Sequence, residues 1–115
     1  MTPEKRFENK VKEYLKENNC WNVKYFANRN TKSGIPDVLT CVNGYFVAIE
    51  TKAQNGKPTE LQLYNRRLIR QSGGICIVLY PDQFEKFKEL IKGIKERPIC
   101  KQYISYQEQY QFDRE

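Results

Sequence analysis

Histidine is missing from all 115 residues of the sequence. This absence excludes Ser-His-Asp and Cys-His hydrolases, zinc sites built on histidine, and nucleases that use an imidazole as the general base. Catalysis near neutral pH would therefore need carboxylates with a metal ion, or else a lysine, a tyrosine or a cysteine.

Long apolar runs and closely paired cysteines are also missing. The longest apolar run, residues 75–80, is too short to cross a bilayer, and residues 1–6 carry charge where a signal peptide is apolar. The four cysteines are widely spaced without a C-x-x-C pair, and we expect Cys41 and Cys76 to be small buried residues of strands. The sequence thus favours a soluble, cytoplasmic protein without a membrane partner.

The basic charge is concentrated in the middle of the chain. Of a net charge of +6, most comes from residues 22–73, which hold eight basic and three acidic side chains. The basic residues are Lys24, Arg29, Lys32, Lys52, Lys57, Arg66, Arg67 and Arg70. Such a segment is the candidate footprint of a polyanion, with nucleic acid the usual choice, although a solvated basic face without a partner is an equal alternative.

Periodicity and turn signals predict one α/β domain over residues 1–98. The first predicted elements are a helix over about 3–18 and strands over 21–26, 37–42 and 45–52. A second helix begins at the capping box of Thr59, and its apolar stripe consists of Leu61, Tyr64, Leu68 and Ile69. A strand over 75–80 and a last helix from Asp82 to before Pro98 follow. The order α-β-β-β-α-β-α predicts a mixed central sheet with helices on both sides. Residues 99–115 form a Tyr- and Gln-rich tail without an assigned role.

An Asn43-Gly44 hairpin turn sets two carboxylates opposite each other. If these are the two loop residues, Val42 faces Tyr45, and Asp37 lies opposite Glu50. Two like charges with Cβ atoms about 5 Å apart raise each other's pKa or need a counter-charge. A divalent cation fits this role, and oxygen ligands without histidine or cysteine suit Mg²⁺ or Mn²⁺.

Strand alternation places Lys52 on the face of Glu50 and turns the Thr51 side chain to the other face. The ammonium group would then lie beside the metal ion, where it can polarise a water or stabilise charge that develops on a phosphate. The backbone carbonyl of Thr51 can add a metal ligand. The alternative is a buried ion pair of Lys52 with Asp37 or Glu50 and no metal ion.

Two polar residues lie at the edges of the apolar stripes of their helices, from which each can reach the carboxylates. These residues are Glu8 on the first helix and Gln62 on the second. The alternatives are that Glu8 is a surface acid and that Gln62 serves only the capping box. Arg66 and Arg70 follow Gln62 by one and two turns, and we expect them to line the approach to the site.

These residues resemble a known superfamily. The segments Gly34-Ile35-Pro36-Asp37 and Glu50-Thr51-Lys52, joined by one hairpin, look like the active-site signature of the PD-(D/E)XK nucleases. With the helix glutamate Glu8 and the helix glutamine Gln62, the pattern is similar to the virus-type replication-repair nuclease (VRR-NUC) domain. The resemblance covers about residues 4–92 and implies a stand-alone, phage-type domain with a restriction-endonuclease-like core.

The resemblance implies a metal-dependent phosphodiesterase. Asp37 and Glu50 would be ligands of Mg²⁺ or Mn²⁺, and Lys52 would be the catalytic lysine. Glu8 would be a further ligand or a water-orienting acid, and Gln62 would complete the catalytic set. One departure from the family pattern is Thr51, where an aliphatic residue is more usual; we expect this side chain to face away from the site.

The resemblance also implies a substrate and a partner. Members of the family hydrolyse DNA, and stand-alone members resemble Holliday-junction resolvases that act as homodimers, here in the cytoplasm of a bacterial host. The basic residues expected to contact the nucleic acid are Arg29, Lys32, Lys57, Arg66 and Arg70. Three alternatives remain open: a flap or other DNA nuclease, an RNA nuclease, and a catalytically weak DNA-binding module that retains the nuclease fold.

Overall fold

The computed structural model describes residues 1–26, 33–98 and 106–111. Its elements are α1 (Pro3–Glu17), β1 (Trp21–Lys24), β2 (Val38–Val42), β3 (Tyr45–Thr51), α2 (Glu60–Gln71), β4 (Ile75–Leu79), a 3-10 turn (Pro81–Gln83) and α3 (Phe84–Lys95). The sheet has the order β1-β2-β3-β4, in which β4 runs parallel to β3 and the other pairs are antiparallel. An α/β fold with a mixed sheet and helices is therefore confirmed, while its assignment as a restriction-endonuclease-like core stays a prediction.

A threonine caps the N-terminus of each of the first two helices, as the sequence predicts. The Thr2 hydroxyl accepts a hydrogen bond from the backbone N–H of Lys5 (3.1 Å), and Pro3 follows in the first turn. The capping box at Thr59 is complete: its hydroxyl accepts from the Gln62 N–H (3.1 Å), and the Gln62 side-chain oxygen accepts from the Thr59 N–H (2.9 Å). None of the helices in the described ranges is long and apolar enough to span a membrane.

The hairpin between β2 and β3 has the predicted turn and register. Asn43 and Gly44 take positive φ angles of 50° and 86°, as a two-residue type I′ turn requires. Val42 pairs with Tyr45, and the same register continues to the end of β2. The placement of Asp37, directly before β2, therefore follows from a turn that the local sequence specifies.

One face of the sheet, here called the core face, is covered by α1 and α3. The buried apolar residues that pack together there are Phe7, Val11, Leu15, Cys20, Val38, Val42, Val47, Ile49, Leu79, Phe84, Phe87, Ile91 and Ile94. Alternate residues of β2 and β3 point to this face, so both strands contribute to one apolar layer.

The opposite face, here called the α2 face, differs from the prediction. The residue of α2 that is buried is Asn65, whereas Leu61 and Tyr64 of the predicted apolar stripe are 44% and 46% exposed. The side-chain amide of Asn65 donates to the Leu61 carbonyl (3.0 Å), which satisfies the amide without a partner on the sheet. The helix therefore rests on the sheet by a narrow strip rather than by the whole stripe.

The α2 face is exposed at β1, whereas the sequence predicts a sheet that helices cover on both sides. Trp21 is 69% exposed, and its strand partner Cys41 is exposed as well, so the prediction of a buried Cys41 is wrong. Cys76 of β4, where α2 packs, is buried as predicted. The physical reason is that a helix is about 10 Å wide and strands are about 4.8 Å apart, so α2 covers about two strands, which here are β3 and β4. Of the predicted tail, the structure describes residues 106–111.

Candidate active site

Asp37 and Glu50 meet at one end of the sheet. The backbone N–H of Asp37 donates to the Glu50 carboxylate (Glu50 Oε2, 3.1 Å), and the Asp37 carbonyl accepts from the Tyr25 N–H (2.7 Å). The Glu50 side chain is 5% exposed and that of Asp37 is 25% exposed. The predicted juxtaposition of the two acids is confirmed, while their role as metal ligands stays a prediction.

The other oxygen of Glu50 faces the side chains of Gln62 and Lys52. Gln62 Nε2 donates to Glu50 Oε1 (2.5 Å), while the oxygen of the same amide caps α2 at Thr59. Lys52 Nζ lies 3.6 Å from Glu50 Oε1, on the face that strand alternation predicts. The capping interpretation of Gln62 is thus correct, and the nitrogen of the same amide contacts Glu50, while the role of Gln62 in catalysis stays a prediction.

The environment of Glu50 opposes its ionisation. Burial, followed by the negative charge of Asp37, raises the pKa of Glu50 from 4.5 to about 7, against the lowering effect of Lys52. One lysine therefore does not compensate for both burial and the neighbouring acid. A further positive charge next to Glu50 would therefore stabilise its ionised form.

Thr51 does not face away from the site, so that expectation is wrong. Its side chain is fully buried, and its hydroxyl donates to Asp37 Oδ2 (3.3 Å). Asp37 precedes the first residue of β2, so strand alternation no longer fixes the direction of its side chain. The carboxylate of Asp37 can therefore contact the core-face side chain of Thr51 as well as the α2-face residue Glu50.

Glu8 reaches the site through Lys24, a residue that the sequence places in the basic segment without assigning it to the site. Lys24 Nζ lies 2.5 Å from Glu8 Oε1 and 3.3 Å from Asp37 Oδ1. Lys5 (2.8 Å) and Lys12 (3.2 Å) contact Glu8 Oε2 from the same helix. Glu8 is buried, so its interpretation as a surface acid is wrong.

The three lysines determine the charge state of Glu8. Burial alone would raise its pKa, but hydrogen bonds from Lys24, Lys5 and Lys12 outweigh burial and lower the pKa of Glu8 to about 2. The position of Lys24 follows from the pairing of β1 with β2, because Lys24 is the strand partner of Val38, the residue that follows Asp37. The sequence does not predict this pairing, since it contains no signal for a turn of defined type between the two predicted strands.

A close contact fixes the segment that leads to Asp37. Gly34 has a positive φ of 78°, and a Cβ atom there would lie 2.6 Å from Leu61 Cγ and 2.8 Å from Asn65 Nδ2. Only glycine combines this backbone angle with such an approach to α2. The first turns of α2 therefore hold both Gln62 and the segment that carries Asp37.

The structure describes three of the five residues that the sequence predicts to contact nucleic acid. Arg29 and Lys32 lie outside the described residues. Lys57 is exposed between β3 and α2, and Arg66 is half-buried on α2. Arg70 donates from Nε to the Cys76 carbonyl (3.0 Å). That contact assigns Arg70 a structural role at β4 in addition to the predicted one.

The side chains fit a hard divalent cation held by two carboxylates. Among the described residues, no cluster of three or more His, Cys, Asp or Glu side chains is arranged to hold a metal ion. Mg²⁺, however, usually binds through one or two protein carboxylates and keeps several waters. Asp37 and Glu50 supply such a pair, and the raised pKa of Glu50 is the expected property of a ligand that awaits a counter-charge.

Comparison with known proteins does not assign the chain to a family. No family model matches it, and no curated protein matches it at a significant level. The VRR-NUC resemblance consequently rests on the motif residues alone.

Proposed function

We propose that the protein is a metal-dependent endonuclease that hydrolyses phosphodiester bonds of branched DNA, as Holliday-junction resolvases do, and that it acts as a homodimer. The observation that carries the proposal is the contact of Asp37 with Glu50 in a buried corner of the sheet. In the sequence, the two acids have the residue types, order and spacing of the PD-(D/E)XK signature.

The energetics of this contact support a metal site. Ionised Glu50 is unfavourable in its surroundings, because burial and the charge of Asp37 act in the same direction. Glutamine would remove the charge and keep one of the two hydrogen bonds that Glu50 accepts, from the Asp37 N–H or from Gln62 Nε2. The ionised second acid becomes favourable when a divalent cation binds next to it. A donor set made only of oxygen atoms suits Mg²⁺ or Mn²⁺.

The surrounding side chains have distinct tasks in the proposed reaction. When bound, the divalent cation would neutralise charge on the phosphate and make a coordinated water more acidic. Lys52 can stabilise negative charge on the phosphate, since its ammonium nitrogen lies 3.6 Å from Glu50 Oε1. Gln62 orients the Glu50 carboxylate through its hydrogen bond.

The charge distribution supports a nucleic-acid substrate. The excess of basic residues lies in the same central segment as Asp37 and Glu50, so positive charge surrounds the two acids in the sequence. The absence of histidine leaves the carboxylates and Lys52 as the groups best suited to phosphodiester chemistry. Selection of branched DNA and action as a dimer follow from the resemblance.

The test is a cleavage panel with purified protein on four-way junctions, flaps, duplex, single-stranded DNA and RNA, in Mg²⁺, Mn²⁺ or EDTA. Expected results are symmetric nicking of junctions with either metal, no cleavage in EDTA, and a dimeric solution mass. Lys52→Met should lower the cleavage rate by about 100-fold or more, as loss of a transition-state charge contact does. DNA binding in EDTA should persist in this variant.

A matched control is Lys92→Met, which removes an exposed lysine of α3 and should leave cleavage unchanged. Equal cleavage by the Lys52→Met and wild-type proteins would remove Lys52 from the mechanism. If a monomer cleaves only flaps, flaps would replace junctions as the proposed substrate. If the protein cleaves only RNA, RNA would replace them. Binding of DNA without cleavage in any metal would favour a binding module.

A further inference from the structure

Lys24 lies between two carboxylates that come from different elements. Its ammonium nitrogen is 2.5 Å from Glu8 on α1 and 3.3 Å from Asp37 before β2, and its side chain is only 19% exposed. A cation in this position neutralises both acids at once. In a site with several divalent cations, such a place between two carboxylates would be taken by a metal ion.

The charges on the two sides of Asp37 differ in sign. On the α1 side, Glu8 also contacts Lys5 and Lys12, so this group has a net charge of +1 before Lys24 is counted. On the β3 side, the ammonium group of Lys52 lies next to Glu50, so Asp37, Glu50 and Lys52 have a net charge of −1 before Lys24 is counted. A divalent cation is attracted to the second group and repelled by the first.

We infer that Lys24 supplies the positive charge between Glu8 and Asp37, so that the centre takes one divalent cation, at Asp37 and Glu50. Glu8 is then a positioning residue that acts through Lys24 and is not a metal ligand. This inference rests on the proposed function, which requires the metal ion, and it departs from the role of Glu8 that the resemblance implies.

The inference predicts a specific coupling between two substitutions. Lys24→Met removes a positive charge close to Asp37 and should tighten binding of one Mn²⁺ by at least about tenfold. Glu8→Gln should weaken binding in the wild-type background, because Lys24 then pairs with Asp37 alone. In the Lys24→Met background, Glu8→Gln should change the affinity by less than about threefold, since Glu8 acts through Lys24.

The experiment is a Mn²⁺ titration of each variant, in which electron paramagnetic resonance measures the free ion and gives both the number of bound ions and the dissociation constant. Circular dichroism checks folding, and Lys24→Gln replaces Lys24→Met if the latter does not fold. The matched control is Lys12→Met, which removes another lysine of Glu8 that lies 3.2 Å from it on the helix. Its effect should be clearly smaller than that of Lys24→Met.

Each result decides the inference. One bound ion in the wild type, tighter binding by Lys24→Met and loss of the Glu8 effect in its background support it. Two ions in the wild type, weaker binding by Lys24→Met, or an equal Glu8→Gln effect in both backgrounds overturns it and leaves the proposed nuclease intact. A wild type that binds no Mn²⁺ removes the metal ion from the proposed function and the inference with it.

Discussion

The two faces of the sheet are built on different principles. On the core face, Val38 and Ile49 are strand partners, both fully buried, in an apolar layer under α1 and α3. On the α2 face, two of the buried side chains are polar, Glu50 of β3 and Asn65 of α2, while Trp21 is mostly exposed. Apolar burial is the main source of folding free energy, so the apolar layer of the core face stabilises the fold. The buried charged residues lie near Asp37, with Glu8 and Lys24 on the side of the core face and Glu50 on the α2 face.

Asp37 is where the two faces meet. Because it lies just outside β2, its carboxylate contacts Lys24 and Thr51 of the core face, while its backbone N–H contacts Glu50 of the α2 face. The candidate site therefore belongs to the end of the sheet rather than to either face. The comparison teaches that a stable apolar layer on one side permits an unfavourable carboxylate on the other.

The largest effect should come from a substitution in the core face. Phe87 is 2% exposed and packs against Phe84 and Tyr14, so Phe87→Ala should lower the free energy of unfolding by about 4 kcal/mol. The same substitution at Phe26, which is 72% exposed, should cost less than about 1 kcal/mol. Urea unfolding measures both, and similar losses would contradict the conclusion that the buried apolar layer of the core face stabilises the fold.

An intermediate effect should be the decrease in the free energy of unfolding at acidic pH that protonation of Glu8 causes. Its pKa in the folded protein is about 2, below the usual 4.5, so its ionised form stabilises the fold. This stabilisation is complete above pH 4.5 and decreases as the pH falls towards 2, by about 3 kcal/mol in all. The difference in unfolding free energy between the wild type and Glu8→Gln should shrink over that range.

The control for this titration is Glu13→Gln, which alters an exposed acid of the same helix. Its difference from the wild type should stay small and nearly constant with pH. A wild-type curve parallel to that of Glu8→Gln from pH 5 to 2 would show that the lysines do not stabilise ionised Glu8.

The smallest of the three effects should be a gain in stability at Glu50. In EDTA, its pKa of about 7 lies above the usual 4.5, so stability decreases as the pH rises from 4.5 to 7 and remains low above it. The pH-dependent part of this loss is about 3 kcal/mol. A glutamine at this position would turn an amide donor towards Gln62 Nε2 or the Asp37 N–H, which costs about 1 kcal/mol at any pH. Glu50→Gln should therefore lower the free energy of unfolding by about 1 kcal/mol at pH 4 and raise it by about 2 kcal/mol at pH 8.

Thermal unfolding in EDTA at the two pH values measures this gain. Glu89→Gln, an exposed acid of α3, is the matched control and should show no such pH dependence. A loss of stability in Glu50→Gln at pH 8 would mean that the charge of Glu50 supports the fold, contrary to the comparison of the faces.

The sequence predicts what short-range rules determine. The Asn43-Gly44 turn specifies the register that brings Asp37 to Glu50, and the capping box at Thr59 places Gln62 at the start of α2. Alternation then places Lys52 correctly. Each of these predictions depends on residues close in the chain or on one hairpin.

The parts that the sequence does not predict depend on contacts between distant elements. The role of Lys24 requires the pairing of β1 with β2 and the packing of α1. The exposure of Cys41 depends on how far α2 extends over the sheet, which no local pattern encodes. The Thr51 contact arises because Asp37 lies beyond the strand end, where the two-residue period no longer applies.

The hairpin has a consequence for the order of assembly. Asp37 and Glu50 are only 13 residues apart, so their encounter needs one short loop closure, whereas the contact of Lys24 with Glu8 needs a helix to dock on a strand 16 residues away. Hairpins form within microseconds, and tertiary docking follows. Formation of one hairpin is therefore enough to bring the two acids together, whereas the ion pair of Lys24 with Glu8 also requires α1 to dock.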